Sequence, residues 1–170
     1  MKLTSATLDE PILVTEPGVY YGNGHGTILT MADPSAPIFD IQCGGVTIRD
    51  IVLQGDGQSR TAPLVDTIHN GTHLERIRFK DFWIGVNVGD PGHFPAVPRL
   101  INLDFQDPLP QAGGGCILMQ NFAGALISGC TLVGPASGPQ CDWGIRARRG
   151  DTLIISDTNV TLCGHGLYVD

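Results

Sequence analysis

Charged side chains are scarce in this chain, at 16% of 170 residues, and aromatic ones are scarcer, at 6%. Ten-residue stretches with helical periodicity and no glycine or proline are almost wholly missing, which argues against a helical fold. The few charges sum to −7 and include no basic run, so the electrostatic footprint of a nucleic-acid binder is absent. No stretch approaches the length of a membrane span, and MKLTSATLDE has a charge with no apolar run behind it. Neither a spanning helix nor a signal peptide is expected, and the chain reads as soluble. Its five cysteines, at 43, 116, 130, 141 and 163, form no CxxC pair and no zinc spacing. No metal and no cofactor is therefore assigned, and Cys130 reads as a buried thiol in an apolar column.

What the sequence has in place of these is 23 glycines and a repeat. In VTIRDIVLQG (46–55) the apolar residues Val46 and Ile48 stand two apart, as do Ile51 and Leu53, but three residues separate Ile48 from Ile51. Two apart means one face of a strand, and three apart means that the chain turns a corner between the pairs. The figure recurs with Leu74, Ile77 and Phe79, then Leu100, Leu103 and Phe105, then Ile127, Cys130 and Leu132, then Ile155, Thr158 and Val160. Successive copies are separated by 26, 26, 27 and 28 residues, which is the signature of a solenoid. The corner position carries Asp50, Arg76, Asn102, Gly129 and Asp157. Four of these five are residue types that enter a left-handed backbone conformation most cheaply.

Each coil also has a third apolar segment: 38–42, 64–68, 83–88, 116–120, 143–148 and, opening a seventh coil, 166–169. Upstream, Val19 and Tyr21 stand 27 residues before Val46 and Ile48 and are expected to occupy their places in the first coil. Gly22, Gly24 and Gly26 do not make a nucleotide loop, because Thr27-Ile28-Leu29 reads as strand where that motif needs a helix. They are expected to serve a tight first coil. Turn-rich loops at 55–63, 107–115 and 134–142, and an insertion at 89–98, confine length variation to particular corners.

Three short strands per coil with an Asx or Gly corner resemble the pectin-lyase-like superfamily, over roughly residues 12 to 170. That group includes pectate lyases, polygalacturonases and phage tail spikes. The resemblance implies an all-β, right-handed parallel β-helix of about six coils and a single domain over 1–170. GLYVD stops inside a new coil and no capping helix is visible, so a fragment of a longer chain, or one that leans on partner chains, is expected. The resemblance also implies a polysaccharide or oligosaccharide partner. The function it points to is a lyase or glycoside hydrolase of the tail-spike depolymerase kind, and the alternative is a non-catalytic shaft or glycan-binding segment. Spikes of this group are often homotrimers and virion-associated, although no heptad or outer apolar strip in this sequence calls for a trimer.

In the superfamily the ligand groove follows the first strand of each coil. If Phe39 and Ile41 point inward, Asp40 points out, and by the same alternation so does Asp66 one coil later. Two stacked carboxylates can act as acid and base or share a cation, so Asp40 and Asp66 are the catalytic candidates. A shift of the alternation by one residue would bury Asp40 instead. Arg146 and Arg148, beside Trp143, suit a sugar ring bearing a carboxylate and are substrate-binding candidates. His93, in the 89–98 insertion, is expected to reach over the groove. Of the other histidines, His69 and His73 follow Asp66 in the turn, and His25 and His165 lie apart. On the third strand Arg78 and Asp104 are expected to form a surface ion pair.

Overall fold

The computed structural model describes residues 1–57, 59–109, 111–134 and 141–170. Among the described residues, eighteen strands wind into a parallel β-solenoid of about six turns, and one short 3-10 turn is Gly24–Gly26. One wall is a seven-stranded parallel sheet built from Ile12–Val14, Phe39–Ile41, Val65–Thr67, Ile84–Val88, Gly115–Gln120, Cys141–Arg148 and Cys163–Val169. The other two walls form one eleven-stranded sheet, bent along the corner column. Val46–Gln54 and His73–Lys80 run through that bend as single strands rather than as two each.

The register confirms the repeat residue by residue. Ile48 pairs with Leu74, Ile51 with Ile77 and Leu53 with Phe79. Leu74, Leu100, Ile127 and Ile155 continue one inward column, and Phe79, Phe105, Leu132 and Val160 another. Phe79 and Phe105 stack one above the other, with ring centroids 4.5 Å apart and planes 7° from parallel. Burial of these columns drives the coiling, since a coil alone has nothing to cover its apolar face.

The corner column is left-handed throughout: Asp50 (φ 58°), Arg76 (51°), Asn102 (52°), Gly129 (64°) and Asp157 (50°). A second such corner closes the first strand, at Gly89 (80°), Asn121 (47°) and Arg149 (46°). Gly22 has a packing reason of its own, because a Cβ there would press within 2.6 Å of Thr27 and 2.7 Å of the Asp50 carbonyl. The strand expected after the glycines is Ile28–Met31.

The first coil departs from expectation by one residue. Gly18 rather than Val19 pairs with Val46, and Tyr20 rather than Tyr21 pairs with Ile48. A slip of one exchanges the two faces of a strand, so Val19 and Tyr21 point to solvent. Tyr20 turns inward and meets Phe39 edge to face, with centroids 6.4 Å apart. An aromatic contact of that size outweighs the exposure of one valine.

Candidate functional site

On the seven-stranded wall, register sets one outward position per coil. The column runs Leu13, Asp40, Asp66, Asn87, Leu118, Arg146, Tyr168. Phe39 and Ile41 are buried on either side of a partly exposed Asp40, so the alternation holds and Asp40 faces out. Asp66 is its in-register neighbour, with backbones about 4.8 Å apart.

The two carboxylates sit in different environments. Asp40 accepts a hydrogen bond from Gln42 Nε2 at 3.0 Å. Asp66 lies deeper and accepts one from Asn87 Nδ2 at 2.8 Å. Burial pushes the Asp66 pKa up, the Asn87 hydrogen bond partly opposes this, and the charges of Asp40 and Asp90 push it further up. Asp90 comes from the 89–98 insertion, where its carboxylate accepts from the backbone N–H groups of Gly92 and His93. Its contact to His93 Nδ1, at 2.9 Å, is the main reason its pKa is lowered. His93 is thus held by Asp90 and is not itself among the residues that line the groove. Asp40, Gln42, Asp66, His69 and Asp90 line one open hollow of about 350 Å³. Asp66, raised, and Asp90, lowered, are thus displaced in opposite directions, an arrangement that can divide acid from base.

Asn87 continues the polar column, for its Oδ1 accepts from Gln120 Nε2 at 3.0 Å. The insertion is tied across this ladder by Asn121 Nδ2, which donates to the Asp90 carbonyl at 2.5 Å. A second hollow, of about 310 Å³, lies beyond it between Pro91, Gln120, Arg148 and Asp170.

Arg146 and Arg148 come together, but three coils from Asp66, roughly 14 Å along the axis. Both bind one carboxylate: Arg146 Nη2 donates to Asp170 at 2.6 Å and Arg148 Nε at 3.0 Å. The Arg146 hydrogen bond is the chief reason the Asp170 pKa is lowered. Asp170 occupies the place that the sequence reading gave to an acidic sugar. Arg146 also covers the ring of Tyr168 at 5.1 Å.

Trp143 edges a hollow of about 410 Å³ with Arg146, His165 and Tyr168, but it offers no stacking face. The residue is 3% exposed and packs on Ile84 and Leu118. Its indole lies where a side chain of residue 115 would be, so glycine is required there. Its Nε1 has no hydrogen-bond partner among the described residues. Expectations for the loop 134–142 fall largely outside the described residues, as do residues 58 and 110 of the other two loops.

Three contributors to the site escaped the sequence reading. Asn87 follows the same in–out alternation but lies 21 residues after Asp66, whereas the coil step is 26, so the spacing hid it. Asp90 sits in an insertion with no periodicity. Gln120 is the last residue of its strand. Among the described residues no group of three His, Cys, Asp or Glu is placed to hold a metal ion. Among those described residues no helix is long and apolar enough to cross a membrane.

Stacked in-register coils with an outward-facing groove on one wall define a parallel β-helix. A search of solved structures places the chain beside the catalytic domain of a GH87 alpha-1,3-glucanase in complex with nigerose. The TM-score is 0.55 at 15% identity, over 91% of this chain. The chain spans 26% of that protein's length, and at this identity the likeness is one of fold. No protein-family model matches the chain, and no curated protein does.

Proposed function

We propose that this chain is the groove-bearing part of a carbohydrate-processing β-helix, and that its chemistry is glycoside hydrolysis at Asp40 and Asp66. The observation that carries this reading is the in-register carboxylate pair in an open groove, with the deeper member inclined to hold its proton. In this reading Asp66 protonates the glycosidic oxygen as the bond breaks. Asp40 and Asp90 supply the negative charge that the oxocarbenium-like transition state needs, and one of them directs water.

The sign of the groove favours hydrolysis over lyase chemistry. Three carboxylates repel a uronate, which a lyase must bind and neutralise, and favour a neutral sugar. Arg146 and Arg148 are committed to Asp170 three coils away. The solved neighbour is an alpha-1,3-glucanase, which supports a neutral glycan as partner.

The Asp66–Asn87–Gln120 hydrogen-bond ladder favours a second reading, in which the polar column stiffens a non-catalytic glycan-binding shaft.

The test incubates the chain with neutral and acidic polysaccharides and follows new reducing ends and the absorbance of unsaturated products. Reducing ends without unsaturation, lost in folded Asp40→Asn and Asp66→Asn variants, are expected. Unsaturated products would overturn hydrolysis in favour of a lyase. Binding without turnover would favour the shaft.

A further inference from the structure

Three of the five cysteines converge across the last three described coils, far from the acidic groove. Cys141 and Cys163 are in-register partners on adjacent strands, and Cys141 Sγ donates to Cys163 Sγ at 2.9 Å. The thiol of Cys116, from the coil before, lies within hydrogen-bond reach of both. Cys116 and Cys141 are buried, whereas Cys163 is partly open to solvent.

We propose that Cys141 and Cys163 are a thiol–disulfide pair, oxidised by a hydroperoxide to a bond that ties the outermost described coil to its neighbour. In-register parallel strands hold Cα atoms about 4.8 Å apart, inside the roughly 4.4–6.8 Å that a disulfide spans. The sulfurs already face one another, so closing to a bond of about 2.05 Å needs only small side-chain rotations.

The chemistry has an order. Hydrogen bonds from the thiols of Cys116 and Cys141 hold Cys163 down, to about 4, which makes it the thiolate. Burial pushes Cys116 well above the ordinary thiol value. Cys141 stands at about 12: the hydrogen bond with Cys116 lowers it, but the one with Cys163 and burial outweigh that effect. The Cys163 thiolate attacks the peroxide O–O bond, giving a sulfenic acid and releasing the second oxygen as water or alcohol. The Cys141 sulfur then displaces hydroxide from that sulfenic acid, losing its own proton. Two thiols and one peroxide become one disulfide and two waters, with the sulfurs oxidised and the peroxide reduced.

The strand this bond would tie, Cys163–Val169, pairs in parallel register with Cys141–Arg148. The reading is independent of any activity in the groove.

The experiment treats the folded, reduced chain with stoichiometric hydrogen peroxide, blocks remaining thiols, and maps the peptides by mass. The expected product is monomeric, lighter by two hydrogens, and has lost two of its five thiols to one peptide linking residues 141 and 163. Dithiothreitol should restore it, Cys116→Ser should still form the bond, and Cys163→Ser should not. Five intact thiols, a bridge through Cys43 or between chains, or conversion of Cys163 to sulfinic acid without a bridge would overturn the proposal. The wild-type map decides the question even if a serine variant fails to fold.

Discussion

Arg76 grips the carboxylate of Asp50 from one coil away, through Nε at 2.7 Å and Nη2 at 3.1 Å, and both residues hold the same left-handed corner. A left-handed backbone costs an arginine roughly 1 kcal/mol relative to glycine. A partly exposed ion pair of good geometry returns somewhat less, about 0.5 kcal/mol. Arg76→Ala keeps the cost and loses the pair, so it should unfold about 0.5–1 kcal/mol more easily in urea. Arg76→Gly removes both and should fall within about 0.5 kcal/mol of the parent. If Arg76→Gly proved the worse of the two, the corner would not be strained.

The Asp66 pKa is raised in the folded chain, mainly by burial. Between the ordinary carboxylate value and the raised one, the folded state holds a proton that the unfolded state has lost. Stability from this group therefore falls as pH rises through that window, and Asp66→Asn should flatten the slope. Asp50 has the opposite sign, since Arg76 lowers its pKa, so its contribution is lost as pH falls below the ordinary value. Urea midpoints across acid pH for the parent, Asp66→Asn and Asp50→Asn would check both.

Asn87 should hold the Asp66 titration down. In Asn87→Ala the donor at 2.8 Å is gone, and the Asp66 midpoint, followed by carboxyl carbon NMR, should move upward. A midpoint that stayed in place would mean that burial and the neighbouring carboxylates set it without Asn87.

Gly115 is a steric requirement and Gly26 is not. A Cβ at 115 would overlap the Trp143 ring and carbonyl, whereas one at 26 meets nothing within 4 Å. Gly115→Ala should cost at least about 2 kcal/mol, by overpacking and loss of the indole's seat. Gly26→Ala should be neutral or gain up to about 0.5 kcal/mol from a less flexible unfolded chain. Denaturant curves for the two variants make the comparison direct.

The solenoid was legible because its signal repeats. Ile48, Leu74, Leu100, Ile127 and Ile155 obey one rule five times, so a single ambiguous residue cannot break it. At the first coil the pattern in the sequence had only one neighbouring copy to be checked against, and there Gly18 and Tyr20 took the places assigned to Val19 and Tyr21. Half the acidic groove was legible for the same reason: Asp40 and Asp66 lie on repeating strands. Asp90 lies in a corner insertion, where spacing carries no geometric meaning. Trp143 was misjudged because a sequence gives no means of seeing that Gly115 leaves its indole a place to lie flat. Arg60 is fully buried, with Nη2 donating to the Ala36 carbonyl at 2.6 Å, and nothing in its loop announces this.

The outward column of the seven-stranded wall passes from Asp40 and Asp66 to Arg146 in a fixed order. It therefore has a head and a tail. A long ligand laid along it would not be free to bind in both directions, because reversing it exchanges the end above the Asp40–Asp66 carboxylates with the end above the neutralised Arg146–Arg148–Asp170 cluster. The ends lie roughly 14 Å apart, beyond the screening length of about 8 Å at physiological salt, so each is felt only by the ligand segment directly above it. Polarity along the axis is thus written locally, coil by coil, as an arrowhead is given by its barbs.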